Sequence, residues 1–200
     1  MEVESQEKIW DAIASEWQEF KKIPSERSQK FLSECSGNVL DLGGGSGRHM
    51  MKIEGKYFLQ DISNEMLKLA EKKAKEIGVD FEEIHSSMVE IPKPDEFFDY
   101  ALSISALHCI EGEENRLNAV KELYRVLKKG GLAYIGVWNF QSKRFKGRKS
   151  KEKMVGWRGK GKRYYYLFDK KEVHDLFKSV GFEIASEHDS EMMINFVVRK

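Results

Sequence analysis

The 200-residue sequence contains few cysteines and prolines and lacks a long apolar run. Two cysteines, Cys35 and Cys109, are too few for a disulfide scaffold or a four-cysteine zinc site, so we expect no metal site. The longest apolar stretch, about residues 100–110, is interrupted by Ser103, Ser105 and His108, which argues against a membrane span. The first residues are acidic and lack the apolar core of a signal peptide. These absences predict a cytoplasmic protein without a membrane partner.

Charge is balanced over the whole chain but not along it. The formal net charge is +1, yet Lys143–Arg163, which we call the basic segment, holds eleven Lys or Arg and one acid, Glu152. A charge block of this density predicts a surface for phosphate-rich partners. A disordered, solubilising loop is the alternative that composition leaves open.

Strand and helix patterns alternate through most of the chain, which has the size of one domain (1–200). An amphipathic N-terminal helix carries Trp10 and Trp17, and a second helix follows Pro24. Strands are predicted at 38–42, 56–60, 80–85, 98–103 and 132–137, helices at 65–77, 114–127 and 170–180, and two final strands at 182–187 and 193–198. We expect Gly130 and Gly131 to close the helix at 114–127. The pattern predicts an α/β fold whose parallel sheet has helices on both faces, with an antiparallel hairpin at the C-terminal end.

A glycine-rich turn follows the first predicted strand and reads Asp41-Leu42-Gly43-Gly44-Gly45-Ser46-Gly47. Glycine lets the backbone turn sharply and approach a ligand closely. Asp61, twenty residues after Asp41, ends the second strand, where a carboxylate can accept both ribose hydroxyls of a nucleoside cofactor. Asp41 would repel a pyrophosphate but suits a cationic, phosphate-free ligand. An ordinary strand-to-helix turn is the alternative.

The motif resembles the Asp-x-Gly-x-Gly-x-Gly sequence of class I S-adenosylmethionine-dependent methyltransferases. Trp10-Asp11-Ala12-Ile13-Ala14 is similar to the helix that covers the cofactor in many of these enzymes. The resemblance implies a Rossmann-like fold with a seven-stranded, mostly parallel sheet, a helical lid at residues 1–35, and S-adenosylmethionine as the cofactor. The cofactor-binding residues that it implies are Trp10, Asp41, Gly43, Gly45, Gly47, Asp61, Ile62, Ser87, Met88 and Ser103.

Three further features resemble the tRNA wobble-uridine carboxymethyl methyltransferases. The first is an unusually short stretch between Gly47 and Asp61. The second is Phe98–His108 followed by Glu114-Asn115-Arg116 and Leu132–Trp138, and the third is Gly156-Trp157-Arg158 followed by Lys162–Phe168. Members of this family carry Arg-Tyr-Tyr-His in the last segment and a Pro-Trp pair between the first two helices. Here Tyr166 replaces the histidine and Ser25 replaces the tryptophan.

This second resemblance implies esterification of a 5-carboxymethyl group on the wobble uridine of a tRNA anticodon. It implies His108, Arg163, Tyr164 and Arg116 as catalytic residues, with a substrate-side insertion at 139–166. We expect Phe145 and Trp157 to stack on unpaired bases. Candidate RNA-binding residues are Lys21, Lys22, Lys143, Arg144, Arg148, Trp157 and Arg158.

The same family works with a small zinc-binding activator protein, which implies a partner at the edge of the third strand, about residues 80–85. Two other functions remain open from the sequence: a small-molecule methyltransferase of this fold, and a non-catalytic subunit that binds S-adenosylmethionine. His108 could orient the substrate or act as a general base.

Overall fold

The computed structural model describes residues 5–200; the acidic residues 1–4, which begin the predicted lid, lie outside this range. The strands are β1 (Ser36–Leu42), β2 (Glu54–Asp61), β3 (Phe81–His85), β4 (Phe98–Ile104), β5 (Leu127–Trp138), β6 (Glu152–Gly156), β7 (Lys162–Tyr166), β8 (Glu183–Glu187) and β9 (Met193–Arg199). The α-helices are α1 (Gln6–Phe20), α2 (Glu26–Ser33), α3 (Asn64–Ile77), α4 (Glu113–Val126) and α5 (Lys170–Val180).

Seven strands form one sheet in the order β3-β2-β1-β4-β5-β9-β8. The first five are parallel to one another, whereas β9 runs antiparallel to β5 and pairs with β8 as a hairpin. The strands β2 and β3 lie on one side of β1, and β4 and β5 lie on the other. The direction of the strand order therefore reverses at β1, which gives the sheet a switch point at the carboxyl ends of β1 and β4. Open α/β sheets bind their ligands at such points. The predicted fold class is confirmed.

Alternating side chains along the central strands divide the core between the two faces of the sheet. On β2, Tyr57 and Leu59 pack with α2 and α3 on one face, whereas Phe58 packs with α4 and α5 on the other. A strand places successive side chains on opposite faces, so strands covered on both sides are apolar throughout.

Capping residues mark the ends of several helices. Ser63 caps the start of α3 by accepting from the Met66 N–H, and α5 begins with a capping box formed by Asp169 and Glu172. Gly181, at φ +113°, ends α5. The predicted glycine cap of α4 is wrong, because α4 ends at Val126 and the chain passes directly into β5, where Phe98 pairs with Leu127.

The basic segment has regular structure of its own and lies outside the main sheet. After β5 it forms a short 3-10 helix (Lys143–Phe145), and then β6 and β7 pair as a separate two-stranded hairpin. We call β6, β7 and their turn the basic hairpin. It packs against α1 rather than joining the main sheet.

Only part of the predicted N-terminal lid covers the site described below. Trp10 and Trp17 of α1 line the cavity, whereas Leu32 of α2 is fully buried in the core beside Val39 and Leu67. The second helix is therefore a core element.

Candidate active site

A cavity of about 360 Å³ opens at the carboxyl ends of β1, β2 and β4. Its walls come from the glycine loop, the end of β2, the loops after β3 and β4, the last residue of β5, and one side each of α1 and β7. The cavity therefore joins the switch point of the sheet to the basic hairpin.

The conformation of the glycine loop requires a glycine at position 43. Gly43 lies at φ +69°, and a Cβ atom there would stand 2.3 Å from the Ala106 Cβ. Its N–H donates to both the backbone oxygen and the Oε1 atom of Gln60, at 2.9 and 3.0 Å. Gln60 is fully buried and its amide also donates to the Ser86 carbonyl, so one side chain joins the glycine loop to the loop after β3.

Asp61 lines the cavity at the end of β2. Its two carboxylate oxygens accept from the N–H groups of Gly45 and Ser63, at 2.8 and 3.0 Å. Burial raises the pKa of Asp61, and the backbone hydrogen bonds oppose that shift. Each oxygen keeps a free lone pair, so the carboxylate can still accept two ribose hydroxyls.

Asp41 lies at the back of the loop, where it accepts a 2.7 Å hydrogen bond from the Tyr57 hydroxyl. It is 1% exposed, and burial raises its pKa to about 7, against the opposing effect of the Tyr57 hydrogen bond. The carboxylate is therefore not fully charged at neutral pH unless a cation binds nearby. This differs from the fixed negative charge that the sequence predicts.

Apolar and small polar side chains form the wall beside Asp61. Ile62, Ser87, Met88 and Val89 line the cavity there, and Ile62 is 37% exposed. Trp10 lines it from α1. The acid at the end of β2, the apolar wall and the close loop fit a nucleoside ligand such as the cofactor that the sequence predicts.

Asp11 of the motif Trp10–Ala14 fixes α1 to this side of the site. Its Oδ1 atom accepts from the Ser63 hydroxyl at 2.6 Å and from the Glu65 N–H at 3.1 Å, at the first turn of α3. The motif therefore attaches the lid helix to the element that follows Asp61.

Two of the predicted cofactor residues do not line the cavity. Gly47, at φ +73°, lies behind the loop, where a Cβ would stand 3.0 Å from Met50 Cε. Ser103 is 2% exposed inside β4, two residues before Ser105, which lines the cavity together with Ala106.

His108 is fully buried in the cavity wall, and one of its two ring nitrogens already has a hydrogen-bond partner. Its Nδ1 atom accepts from the Trp138 N–H at 3.1 Å, which assigns the proton of the neutral ring to Nε2. Burial lowers the pKa of His108 to about 3, so the ring is neutral at physiological pH. Nε2 is buried and has no partner among the described residues. His108 is therefore a donor prepared for an incoming acceptor, which disfavours the general-base alternative.

Arg163 is 3% exposed and reaches the cavity through its neighbour. Its guanidinium lies over the rings of Trp10, Trp17 and Trp157, at 4.6–5.3 Å, and its Nη1 donates to the Tyr165 hydroxyl at 2.8 Å. Tyr165 lines the cavity, whereas Arg163 does not. Arg163 therefore holds the Tyr165 hydroxyl and does not itself face the cavity.

Tyr165 and Trp138 form a stacked pair in the same wall. Their ring centroids are 4.5 Å apart with an angle of 9° between the planes, and His108 packs against both rings. Burial raises the pKa of the Tyr165 hydroxyl, which remains protonated.

The structure places Arg116 and Tyr164, both predicted as catalytic residues, outside the wall of the cavity. Strand alternation places Tyr164 on the face of β7 opposite Arg163 and Tyr165. Its hydroxyl donates to Glu152 at 3.0 Å, and Arg116 donates to the Ile110 carbonyl at 3.1 Å. Neither side chain lines the cavity.

The predicted RNA-binding residues fall into two groups. Arg144 and Arg148 are exposed without an ion pair within residues 5–200, and Lys21 stands at the cavity wall. The other cations have acidic neighbours: Lys22 pairs with Glu19, Lys143 with Glu191, and Arg158 with Glu16.

The two predicted stacking residues are less available than expected. Phe145 is 2% exposed and packs against Trp138, so its assignment to base stacking is wrong. Trp157 is half-buried between Trp17 and Phe20, and its Nε1–H donates to Glu16 at 2.9 Å.

Sequence reasoning missed several residues of the site. Tyr165 could have been found from Arg163, because residues two apart on a strand share a face. Trp138 ends a predicted strand, at the position where such folds place ligand contacts. Gln60 carried no signal, since its role depends on a loop from another part of the chain.

The described residues also bear on two other kinds of site. Between residues 5 and 200, no group of three or more His, Cys, Asp or Glu is placed to hold a metal ion. No helix in that range is both long and apolar enough to cross a membrane.

Comparison with known proteins places this geometry in a family. Residues 40–135 match the family described as a methyltransferase domain. The tRNA (carboxymethyluridine(34)-5-O)-methyltransferase of Arabidopsis thaliana is 34% identical over 134 residues, which cover 66% of this chain and 32% of that protein. Its namesake from Schizosaccharomyces pombe is 29% identical over 209 residues, covering 90% of this chain and 89% of that protein. The chain thus spans about a third of the first relative's length and most of the second's.

Other relatives have different names. The ubiquinone/menaquinone biosynthesis C-methyltransferase UbiE of Vibrio campbellii is 32% identical over 116 residues, covering 52% of this chain and 44% of that protein. Among solved structures, an S-adenosylmethionine-dependent methyltransferase from Methanosarcina mazei has a TM-score of 0.73 at 20% identity, over 89% of this chain and 98% of that chain. A chain from the complex of the Haloferax volcanii Trm112 methyltransferase activator with a methyltransferase has a TM-score of 0.74 at 17% identity, over 98% of this chain and 97% of that chain. At these identities the two structures show the fold alone.

Residues 40–135 of this chain thus carry a methyltransferase domain. The family resemblance predicted from the glycine motif is confirmed, and with it S-adenosylmethionine as the cofactor.

Proposed function

We propose that this chain methylates tRNA, and that its acceptor is the 5-carboxymethyl group of a wobble uridine in the anticodon. One observation carries the proposal: the basic hairpin supplies Tyr165 to the cavity wall and belongs to the same segment that presents unpaired cations to solvent. A nucleic acid bound by those cations would lie at the mouth of the cavity. The Arabidopsis and fission yeast relatives, by name, act on this nucleoside.

The cations suit a polyphosphate backbone. Arg144, Lys146, Arg148, Lys149 and Lys162 are exposed and make no ion pair within the described chain. An anticodon loop offers phosphates for such cations and splayed bases for a cavity. Lys21 adds a positive charge at the cavity itself.

The wall around His108 suits an acceptor oxygen. Bound S-adenosylmethionine supplies an electrophilic methyl group. A substrate carboxylate is already ionised at neutral pH, so the chain does not need a general base. The Nε2–H group of His108 can donate to one carboxylate oxygen and orient the other, while Trp138 and Tyr165 exclude water.

Arg163 would then influence the wall around His108 through Tyr165. The Arg163 guanidinium holds the Tyr165 hydroxyl, and Tyr165 holds its ring against Trp138 and His108. A stacked wall of this kind keeps His108 in one orientation before the substrate arrives, which reduces the reorganisation needed for the reaction.

An activator protein at β3 forms part of the same proposal. Within the sheet of residues 5–200, β3 is an edge strand that pairs only with β2. An edge strand can accept a further strand from a partner. The Haloferax neighbour comes from a complex with a methyltransferase activator, which supports a protein partner for this chain. We further propose that this partner is small and binds zinc, and that the chain acts in the cytoplasm.

Two other functions make different demands on the chain. A small-molecule methyltransferase, in the manner that the Vibrio relative's name indicates, has no use for the exposed cations. A non-catalytic subunit has no use for the unpartnered His108 donor in the cavity.

The direct test is methyl transfer from labelled S-adenosylmethionine to bulk tRNA from a strain that accumulates 5-carboxymethyluridine. The reaction is run with and without a candidate activator protein, and the labelled nucleoside is identified by mass. We expect label in the methyl ester of 5-carboxymethyluridine. Label in another nucleoside would contradict the assigned acceptor, and label only in a small molecule would contradict the tRNA substrate.

A further inference from the structure

One carboxylate joins the lid helix to the basic hairpin. Glu16 of α1 accepts from Trp157 Nε1 at 2.9 Å and from Arg158 Nη1 at 3.4 Å, and its other oxygen lies 2.6 Å from Lys160 Nζ. All three partners belong to the turn between β6 and β7, about 140 positions away in the sequence. No other acid of α1 contacts this turn in the described chain.

The turn is built to present these three groups together. Arg158 has a positive φ of +43° and is followed by Gly159 at +78°, so the chain reverses within a few residues. The Lys160 N–H donates to the Trp157 carbonyl at 2.7 Å, which closes the turn. Lys160 Nζ also donates to the Ala12 carbonyl at 3.1 Å, one turn before Glu16 on α1.

The joint is close to the cavity. Trp17, which lies beside Glu16 in the sequence, lines the cavity and packs edge-on against Trp157 at 5.3 Å. The Lys160 and Trp157 hydrogen bonds lower the pKa of Glu16, which keeps this carboxylate ionised. The same helix carries Trp10 in the cofactor wall.

We propose that Glu16 is a positioning residue that holds α1 closed over the cofactor cavity and competes with RNA phosphates for Arg158 and Lys160. This inference rests on the proposed function, since it assigns the turn of the basic hairpin to the RNA-binding surface. Phosphate oxygens and the Glu16 carboxylate are anionic acceptors for the same two cations, so each weakens the binding of the other. The lid contact and the RNA contact are then linked with opposite sign.

A substitution at Glu16 should therefore have two opposite effects. Removing the charge frees Arg158 and Lys160 for phosphate and strengthens RNA binding. It also weakens the contact between α1 and the turn, so the cofactor dissociates faster. If Glu16 had only a structural role, its substitution would weaken the binding of RNA and of the cofactor together.

The experiment compares Glu16→Gln with Glu19→Gln. Glu19 lies on the same helix and pairs with Lys22, so Glu19→Gln removes the same charge and frees one predicted RNA-binding cation, but does not touch the turn. Bulk tRNA is measured by filter binding, and S-adenosylhomocysteine by calorimetry and stopped-flow dissociation. We expect Glu16→Gln to bind tRNA about two- to fivefold more tightly than Glu19→Gln, and to bind S-adenosylhomocysteine about two- to fivefold more weakly.

Each result decides a distinct claim. Equal tRNA affinity for the two variants would overturn the competition, and unchanged S-adenosylhomocysteine dissociation would overturn the lid contact. Loss of affinity for both ligands would reduce Glu16 to a structural residue and overturn the proposal. A wild-type chain that binds no tRNA would contradict the proposed function and the competition together, whereas the first two outcomes leave the proposed function intact.

Discussion

The cofactor wall and the substrate wall of the cavity are built in different ways. The centre of the cofactor wall is the glycine loop and Asp61, at the ends of β1 and β2 and within about twenty residues of one another. The substrate wall brings α1, the end of β5 and β7 together, and its joint links Glu16 to Trp157 across 141 positions. Local backbone geometry fixes the first wall, whereas long-range side-chain contacts fix the second.

This difference predicts unlike responses to mutation. In the cofactor wall, a single added methyl group meets backbone or core atoms that cannot move. In the substrate wall, single side-chain changes should alter the reaction while leaving the fold and the cofactor site intact. The substitutions below test this contrast.

The largest effect is expected for Gly43→Ala. The new Cβ would stand 2.3 Å from the Ala106 Cβ, at a φ of +69° that L-residues rarely adopt. We expect the free energy of unfolding to fall by about 2–4 kcal/mol, measured by denaturant titration. Gly147→Ala is the control, since Gly147 has φ +83° but nothing within 4 Å of its added Cβ, and should cost about 1 kcal/mol. Equal losses would show that the close approach at Ala106 has no consequence.

The next effect concerns cofactor binding alone. Asp61→Ala removes an acceptor for the ribose and for the Gly45 and Ser63 N–H groups. We expect S-adenosylhomocysteine binding to weaken by about 1.5–3 kcal/mol, measured by calorimetry, with tRNA affinity unchanged. Unchanged cofactor affinity would remove Asp61 from the site.

His108→Phe tests the substrate wall. It removes the Nε2 donor but keeps an aromatic ring beside Trp138. We expect methyl transfer to tRNA to fall about 10- to 100-fold with S-adenosylhomocysteine binding unchanged, because only the substrate loses a hydrogen bond.

The pH dependence separates a donor from a base at this position. The folded-state pKa of His108 is about 3, well below its usual 6.5, so the ring stays neutral as the pH falls through 6.5. The wild-type rate should therefore show no histidine step near that pH, although stability declines below it because the unfolded chain takes up the proton first. A rate step near 6.5 that disappears in His108→Phe would restore the general-base interpretation.

The smallest effect should separate two adjacent tyrosines. Tyr165→Phe removes the hydroxyl that Arg163 holds, and we expect methyl transfer to fall about threefold to tenfold. Tyr164→Phe removes a hydrogen bond to Glu152 on the opposite face of β7 and should leave methyl transfer unchanged. If Tyr164→Phe lowered methyl transfer more than Tyr165→Phe, the face of β7 that carries Tyr164 would serve the reaction, which would contradict the account.

The sequence predicts the cofactor wall well for a physical reason. Glycines at fixed offsets and an acid at a strand end act through local backbone geometry, so Gly43 and Asp61 could be placed from the strand pattern alone. Gly47 and Ser103 fit the same motifs but face away from the cavity, because a spacing fixes position along the chain and not the direction of a side chain.

The substrate wall was predicted less completely. Charge density located the basic segment, but charged residues carry little strand signal, and β6 and β7 were not predicted. The pairing of the hairpin with α1 depends on Glu16 and Gln6, whose partners lie far along the chain. The sequence pattern named Tyr164, whereas the structure places Tyr165 in the cavity wall, because adjacent residues of a strand lie on opposite faces.

The central claim is that the basic segment brings tRNA to the cavity, and one measurement tests it directly. Labelled methyl transfer to tRNA is compared between wild type and a variant with Arg144, Lys146, Arg148 and Lys149 all replaced by Ala. The account predicts loss of tRNA methylation with S-adenosylhomocysteine binding unchanged, and a dependence of log affinity on log salt that is less steep by about 3–4. Methylation of tRNA at the wild-type rate and with the wild-type salt dependence would contradict it.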